Sequence, residues 1–294
     1  MGDLLMPRAC LVCGRRLGLR ERHLCLSCAA DVPYTRFWLG AHNPLADRFN
    51  AVLERHRGTE PMDYAYATAL MYYKGAYRSI PRALKYHGNL AAGRYYGALL
   101  GRRLAAALHL ADIDLIIPVP LHWTRRRSRG YNQAAILAQA IADALHTECR
   151  TDLLIRSRRT RTQTRVSVDQ KAQNVASAFQ VPERFPFCTR LLRFARWPIG
   201  VGHDEGCHSG HNEGHLSSHD DGHNPGHDEG RHGVRAPESP ATVLASAHHI
   251  LLVDDTFTTG ATLYACYAAI RPYTTARISI ATLAAVEGSP SAGP

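Results

Sequence analysis

The sequence contains no uninterrupted run of about 18 apolar residues, so we expect no transmembrane helix. Its first residues, Met1–Pro7, have neither a basic start nor an apolar stretch, and no secretory signal is expected. Eight cysteines among 294 residues do not indicate the disulfide framework of a small secreted protein. These absences predict a cytoplasmic protein without membrane insertion. Hydrophobic residues make up 45% of the chain, which is enough to bury a sizeable core.

The formal net charge of +10 is unevenly distributed along the chain. The stretch 202–233 contains seven acidic residues and one arginine, which gives it a net charge of −6. The rest of the chain therefore carries about +16. A strongly basic body favours polyanionic partners such as phosphates, pyrophosphates or nucleic acid. A well-solvated, arginine-rich surface is the alternative explanation.

The same stretch is a tandem tetrapeptide repeat. Its eight units each contain one histidine and read GHDE, GCHS, GHNE, GHLS, SHDD, GHNP, GHDE and GRHG. Glycine and dense charge disfavour a helix, which predicts a disordered, low-complexity His/Gly-rich insert over 183–248. A neutral insertion is the favoured interpretation. Metal buffering is the alternative, since imidazoles with nearby carboxylates suit zinc, nickel or copper.

Two CxxC pairs lie near the start of the chain. The cysteines are Cys10, Cys13, Cys25 and Cys28. Two tight turns that each present two thiolates are typical of a tetrahedral structural zinc site, which predicts a zinc-ribbon-like module over 1–40. Disulfides or unligated thiols are the alternatives. A site closed by four sulfurs leaves no position for water, so we expect a role in folding and docking rather than catalysis.

Hydrophobic periodicity predicts an α/β fold. Strand patterns cover 67–72, 115–120, 249–254 and 277–285. Helical patterns cover 79–86, 92–108, 132–145 and 262–270. Strands that alternate with helices indicate a mostly parallel sheet flanked by helices on both faces.

An acidic pair and a loop of small residues follow one of the predicted strands. Asp254 and Asp255 would stand at the carboxyl edge of the sheet, where ligands of α/β folds bind. Adjacent carboxylates can each accept a hydrogen bond from one hydroxyl of a vicinal diol. The residues that follow offer hydroxyls and backbone N–H groups near a helix start and include Thr256, Thr258, Thr259, Gly260, Ala261 and Thr262. A diol acceptor beside such a phosphate cradle predicts a ribose 5-phosphate site, and an ordinary capped helix is the alternative.

The string 250–262, ILLVDDTFTTGAT, resembles the phosphoribosyl pyrophosphate (PRPP) signature of type I phosphoribosyltransferases. The resemblance implies that Asp254 and Asp255 are catalytic residues and hold the ribose 2′- and 3′-hydroxyls. It implies that the loop over 258–262 holds the 5′-phosphate, and that Mg²⁺ accompanies PRPP. Purine-salvage members carry an aspartate two residues before the loop glycine. Thr258 stands there instead, as in orotate-type members.

Further motifs narrow the resemblance. They are 84–88 (LKYHG), 118–121 (PVPL), 125–133 (RRRSRGYNQ), Thr162-Gln163, and Asn174 with Phe179. Together with the CxxC pairs they are similar to the ComF competence family, also called the GntX or amidophosphoribosyltransferase-like group. The resemblance covers roughly 7–182 and 249–287 and implies a phosphoribosyltransferase-like domain over 60–182 and 249–287. The chain departs from the family pattern at Lys171, at Val166-Ser167 and in the insert over 183–248.

Basic side chains complete the predicted site. The resemblance implies ligand-binding roles for Lys85, Arg127 and Arg129. There are two arginine clusters, one over 125–129 and one over 156–165, and the resemblance implies that one holds pyrophosphate and the other forms a lid. Guanidinium groups suit phosphate oxygens, which is consistent with these roles. A salt-sensitive nucleic-acid patch with Tyr131 stacked on a base is one alternative, and a solvated charged face is the other.

The residues and the resemblance support two classes of function. The first is an enzyme that transfers phosphoribosyl from PRPP to an unidentified nitrogen acceptor. The chain lacks a cysteine directly after Met1, so glutamine-dependent amide transfer is not expected. The second is a non-catalytic protein that senses PRPP or binds single-stranded DNA during uptake and recombination, with competence and recombination proteins as partners.

Overall fold

A computed structural model describes residues 8–56, 63–86, 88–157, 178–185 and 239–288. The chain divides into two compact units, 1–186 with 239–294, and 187–238. All described residues belong to the first unit. The predicted histidine repeat over 202–233 lies outside the described residues, as does most of the predicted insert.

The strands are β1 Ala67–Tyr72, β2 Leu115–Pro118, β3 Glu148–Cys149, β4 Ile155–Arg156, β5 Phe179–Gln180, β6 His249–Phe257 and β7 Arg277–Ala285. The α-helices are α1 Leu26–Ala30, α2 Pro44–His56, α3 Ser79–Tyr86, α4 Leu90–Ala105, α5 Trp123–Arg129, α6 Gln133–Leu145, α7 Pro240–Ser246 and α8 Ala261–Ile270. Short 3₁₀ turns lie at Phe37–Leu39, Gly75–Arg78, Leu108–Leu110 and Arg271–Tyr273. None of the helices in the described ranges combines the length and apolar character that a membrane crossing requires.

Five of the strands form a parallel sheet in the order β1-β7-β6-β2-β3. Strands β4 and β5 form a separate antiparallel pair. Both β6 and β7 lie inside the sheet, and their apolar residues are buried because helices cover both faces. The predicted α/β fold, a mostly parallel sheet flanked by helices, is confirmed.

The side chains of β6 alternate between two layers of core. Leu251 and Val253 face the cluster that contains α4 and α6, whereas Ile250 and Leu252 face the cluster that contains α2, α7 and α8. This alternation follows from the two-residue repeat of an extended strand. The sheet is thus the middle layer of three.

Helices α4 and α6 approach closely because α4 presents glycine to its neighbour. A Cβ atom at Gly97 would lie 2.8 Å from the Leu137 carbonyl oxygen and 2.8 Å from the Ala140 Cβ atom. Real Cβ contacts are almost never that short, so the packing distance between the two helices depends on this glycine.

The predicted element bounds are largely confirmed, with differences that have physical causes. The helix predicted over 92–108 begins at Leu90 and ends at Ala105. The strand predicted to end at Asp254 continues to Phe257, because β7 pairs with it as far as Ala285. The sequence analysis assigned no helix to α2, and α7 lies within the last residues of the predicted insert.

Candidate functional site

The carboxyl edge of the sheet has a step between β2 and β6. Strand β2 ends where Pro118 pairs with Val253, while β6 stays paired with β7 up to Phe257. From β2 the chain goes on to β3 on one side, and from β6 it goes on to β7 on the other. Such a reversal of strand order opens a crevice at the carboxyl ends of the strands, which is where ligands of open α/β sheets bind. Asp254 and Asp255 lie at this step.

The two carboxylates are half-buried and already hydrogen-bonded. The Asp255 N–H donates to Asp254 Oδ1 at 2.8 Å, and the Thr256 hydroxyl donates to Asp255 Oδ2 at 2.6 Å. The Lys85 Nζ atom lies 2.6 Å from the same Asp255 Oδ2 atom. Asp255 therefore carries a cationic partner, and Asp254 is held by a neutral donor.

Burial, and then the charge of neighbouring Asp255, raises the pKa of Asp254 to about 7. An N–H donor from Asp255 and the charge of Lys85 act in the opposite direction but do not outweigh these effects. Because the ionised form of this carboxyl group is poorly stabilised in the free protein, a ligand that donates hydrogen bonds to it would bind favourably. Strongly perturbed carboxyl groups of this kind cluster at functional sites.

The loop after β6 leads directly into α8. Gly260 has φ = +81° and stands at the N-cap of α8 without a side-chain cap. A Cβ atom there would meet the Phe257 ring at 3.0 Å. Both the positive φ and this lack of space require glycine at position 260. Thr258 and Thr259 are exposed, and the Thr259 hydroxyl accepts from the Ala261 N–H at 3.4 Å. Ala261 and Thr262 are half-buried in the first turn, whose N–H groups point toward an anion placed at the loop.

Helix α3 brings Lys85 to the acidic pair. The Tyr131 hydroxyl donates to the Leu84 carbonyl and so fixes the end of α3 against the start of α6. Leu84 itself is buried in the core, which places Lys85 at the rim of the sheet edge. The predicted residues Lys85 and Asp255 are therefore brought together.

Helix α5 carries the first arginine cluster, directly beyond β2. Arg127 is exposed, and Arg129 donates to Gln133 Oε1 at 3.3 Å while its guanidinium lies 5.4 Å from the Tyr86 ring centre. Tyr86 is 70% exposed and Trp123 is 63% exposed. Arginines and open aromatic faces thus share this side of the molecule.

The second arginine cluster is described only at Arg156, since 158–165 lie outside the described residues. Arg156 is half-buried over the Phe179 ring, 5.1 Å from its centre. Burial, and then the charge of Arg125, lowers the pKa of Arg156, while the charge of Asp254 acts in the opposite direction. Arg156 therefore lies within electrostatic range of Arg125 and of Asp254. Thr162, Gln163 and Asn174 also lie outside the described residues.

The four predicted metal ligands form one cluster. The sulfur atoms of Cys10, Cys13, Cys25 and Cys28 all lie within 4.8 Å of one another. The Cys13 and Cys25 sulfurs are 3.7 Å apart, and four sulfurs bound at ~2.3 Å around one zinc ion stand about 3.8 Å apart. Burial opposes ionisation of Cys10, but N–H groups of Cys13, Cys25 and Val12 outweigh it and lower the pKa of the thiol to about 6. The cluster fits a tetrahedral metal ion such as zinc.

The cysteine cluster is packed on α4 and on the 3₁₀ turn Gly75–Arg78, which precedes α3. The Tyr77 hydroxyl donates to the Cys28 carbonyl at 3.0 Å, and the His23 ring lies 5.0 Å from the Tyr95 ring. Leu11 and Val12 pack against the core cluster on the α4 side of the sheet. These contacts tie the cluster to α4 and to the turn that leads into α3, the helix that carries Lys85.

Sequence analysis missed two contributors to this region. Arg48 reaches the loop after β6 from α2, and Trp123 stands open beside the arginines of α5. Helix α2 has recognisable signals, because Asn43 caps its start by accepting from the Leu45 and Ala46 N–H groups. The direction of Arg48 and the exposure of Trp123 have no signal in the sequence.

No protein-family model matches the chain. The chain is similar to Competence protein F of Haemophilus influenzae, with 33% identity over 102 residues. The match covers 30% of this chain and 44% of that protein, so it spans less than half the length of the relative. The similarity supports the predicted competence-type resemblance.

Proposed function

We propose that this chain binds PRPP together with Mg²⁺ and transfers the phosphoribosyl group to a nitrogen acceptor. One observation carries the proposal. An acidic pair stands at the strand reversal of a parallel sheet, and the N-cap of the next helix follows five residues after Asp255, at Gly260, which has no side chain to cap the first turn. A ligand that has a vicinal diol and a phosphate satisfies both features at once.

The acidic pair would accept hydrogen bonds from the two ribose hydroxyls. Asp254 is the stronger candidate, because its raised pKa reflects an ionised form that lacks adequate partners. Asp255 keeps Lys85 as its counter-charge at 2.6 Å. Thr258, Thr259 and the N–H groups of the first turn of α8 would hold the 5′-phosphate.

The transfer breaks the bond between C1 of the ribose and the pyrophosphate oxygen, which leaves with the bonding electrons. A bond from the acceptor nitrogen to C1 forms, and the nitrogen releases its proton to solvent water. Positive charge develops on the sugar and negative charge on the leaving group. The arginines of α5 and Arg156 would stabilise the leaving pyrophosphate through charge-assisted hydrogen bonds.

The hard oxygen donors of Asp254 and Asp255 fit Mg²⁺, which binds one or two carboxylates and substrate phosphates and keeps several waters. When bound, the ion would neutralise pyrophosphate charge. Lys85 competes with it for Asp255 Oδ2.

Calorimetric titration of PRPP with Mg²⁺ into zinc-loaded protein tests the proposal. We expect the wild type to bind, and the double variant Asp254→Asn/Asp255→Asn to lose at least tenfold in affinity, since each lost charged acceptor weakens binding by about 1.5–3 kcal/mol. The variant Asp143→Asn is the matched control, because it removes an exposed carboxylate from α6. Absence of binding by the folded wild type would refute the proposal. Release of pyrophosphate in an acceptor screen separates an enzyme from a sensor.

We further propose that the cysteine cluster holds zinc and that the chain works in the cytoplasm. Four thiols that remain able to bind a metal persist in a reducing compartment. All four positions of a tetrahedral ion are filled by protein, so the metal would stabilise the docking surface for α3 and take no part in the chemistry.

A second candidate function rests on the surface of α5. Trp123 and Tyr86 expose their rings beside Arg125, Arg127 and Arg129. Aromatic faces interleaved with arginines are typical of proteins that bind single strands. The similarity to Competence protein F supports a link to competence. We propose single-stranded DNA, in uptake and recombination, as the polyanion that this surface binds.

Fluorescence anisotropy with a labelled oligothymidine tests this second function. Trp123→Ala and Tyr86→Ala should each weaken binding about tenfold, because stacking contributes about 1–3 kcal/mol per base. Tyr273→Ala is the control, since that ring is 42% exposed elsewhere. Binding that is insensitive to salt, or equal in all three variants, would contradict it.

A further inference from the structure

We infer that Arg48 is a positioning residue that sets the direction of a phosphate-binding N–H group, an inference that rests on the proposed function. The Arg48 Nη2 atom donates to the Thr258 carbonyl at 2.8 Å, and its Nη1 atom donates to the Val286 carbonyl at 2.6 Å. The guanidinium also lies 5.1 Å from the centre of the Phe257 ring. One side chain thus holds the backbone that follows β6 and the backbone that follows β7.

The geometry of the peptide bond turns this contact into a constraint on the loop. The peptide between Thr258 and Thr259 is planar and trans, so its carbonyl and its N–H point in opposite directions. Because Arg48 holds the Thr258 carbonyl on its own side, the Thr259 N–H points away from Arg48. That N–H belongs to the residue before Gly260, at the start of α8, where the proposed phosphate sits.

The Arg48 cation also makes the Thr259 N–H a stronger hydrogen-bond donor. A hydrogen bond from a charged donor to a carbonyl polarises the peptide and makes its N–H a better donor on the far side. Arg48 is half-buried, and this burial lowers the pKa of its guanidinium; water therefore screens the charge less than it would at a fully exposed position. Arg48 therefore contributes to anion binding without touching the anion.

The two carbonyls require the forked shape of arginine. They belong to residues that follow different strands, and the guanidinium reaches both from two separate nitrogen atoms. Lysine supplies one charged nitrogen atom and cannot reproduce the planar fork. The packing is close as well, since a Cβ atom at Gly288 would lie 3.1 Å from Arg48 Cδ.

The test compares Arg48→Gln, Arg48→Lys and the control Arg55→Gln in the full chain. Arg55 lies on the same helix and is exposed, so its loss removes an equal charge without touching the loop. Calorimetry measures two affinities separately, one for ribose 5-phosphate and one for pyrophosphate with Mg²⁺. Under the proposed function the pyrophosphate binds at the arginines and not at the loop over 258–262. Thermal unfolding is measured for every variant.

We expect Arg48→Gln to weaken ribose 5-phosphate binding about tenfold and to leave pyrophosphate binding within twofold, because one N–H donor is lost from a charged ligand. Arg48→Lys should fall between Arg48→Gln and the wild type, and Arg55→Gln should match the wild type. If Arg48→Gln loses affinity equally for both ligands, the role of Arg48 is merely structural and the inference is overturned. Unchanged affinity for ribose 5-phosphate would overturn it as well. If Arg48→Gln does not fold, the same comparison in Arg48→Lys decides. A folded wild type that binds no ribose 5-phosphate refutes the proposed function itself, and the inference with it.

Discussion

Replacement of Asp254 by asparagine should stabilise the ligand-free protein. The carboxylate is half-buried, and burial followed by the Asp255 charge raises its pKa from an ordinary 3.8 to about 7. A difference of that size between the folded and unfolded states corresponds to about 4 kcal/mol at a pH above 7. Access of water to a half-buried group reduces this to about 2 kcal/mol. Asparagine keeps the oxygen that accepts from the Asp255 N–H but has no charge to bury.

The sign of the pH dependence follows from proton linkage. Between pH 4 and 7 the unfolded chain has already released the Asp254 proton, while the folded protein retains it. The wild type therefore loses stability as the pH rises through this range, and the loss levels off above the folded pKa. The advantage of Asp254→Asn should be greatest at pH 8 and should shrink to less than half at pH 5.

Urea unfolding of both proteins at pH 5 and pH 8, without phosphorylated ligands, measures this difference. Other titrating groups, the cysteine cluster included, are common to both proteins and cancel in the comparison. Asp143→Asn serves as the control for loss of an exposed carboxylate. Equal stability at pH 8 would refute the reasoning. A gain that is the same at both pH values would assign the effect to packing rather than charge.

Three further predictions concern other parts of the molecule. Cys13→Ser should lower the zinc content by one equivalent, by atomic absorption, and lower the melting temperature; an unchanged zinc content would contradict the proposed metal site. Gly97→Ala should lower the free energy of unfolding by about 1–3 kcal/mol, measured in urea, because the new methyl group meets Ala140 Cβ at 2.8 Å. A gain in stability would mean that the higher helix propensity of alanine, worth about 1 kcal/mol, outweighs the crowding. Lys85→Met should increase the rise in melting temperature caused by Mg²⁺ alone, since the lysine no longer competes for Asp255 Oδ2 at 2.6 Å; an equal rise in both proteins would exclude that competition.

The central strands could be predicted from sequence because their signals are local. The apolar run before Asp254 reflects burial on both faces, and the acidic pair and glycine that follow mark the end of a strand and the start of a helix. The two CxxC pairs have a spacing that constrains the sulfurs almost by itself. Their side chains meet as expected, within 4.8 Å.

What could not be predicted depends on contacts between distant parts of the chain. The hydrogen bonds of Arg48 span 210 residues to Thr258 and 238 residues to Val286, and neither end carries a motif that identifies its partner. Trp123 stands among arginines in the sequence, yet only the fold shows that its ring faces solvent. The continuation of β6 beyond Asp254 likewise depends on β7, which supplies the pairing partners.

The strand order also affects how the protein is made. Strands β1 and β2 are synthesised early but are not neighbours, and the two strands that fill the gap between them end at Phe257 and Ala285. Until those strands leave the ribosome, β1 and β2 each present an unpaired apolar edge, and such edges invite aggregation. The nascent chain therefore completes its sheet only once β7 has left the ribosome, and its dependence on chaperones should be concentrated in the interval between the synthesis of β2 and that of β7.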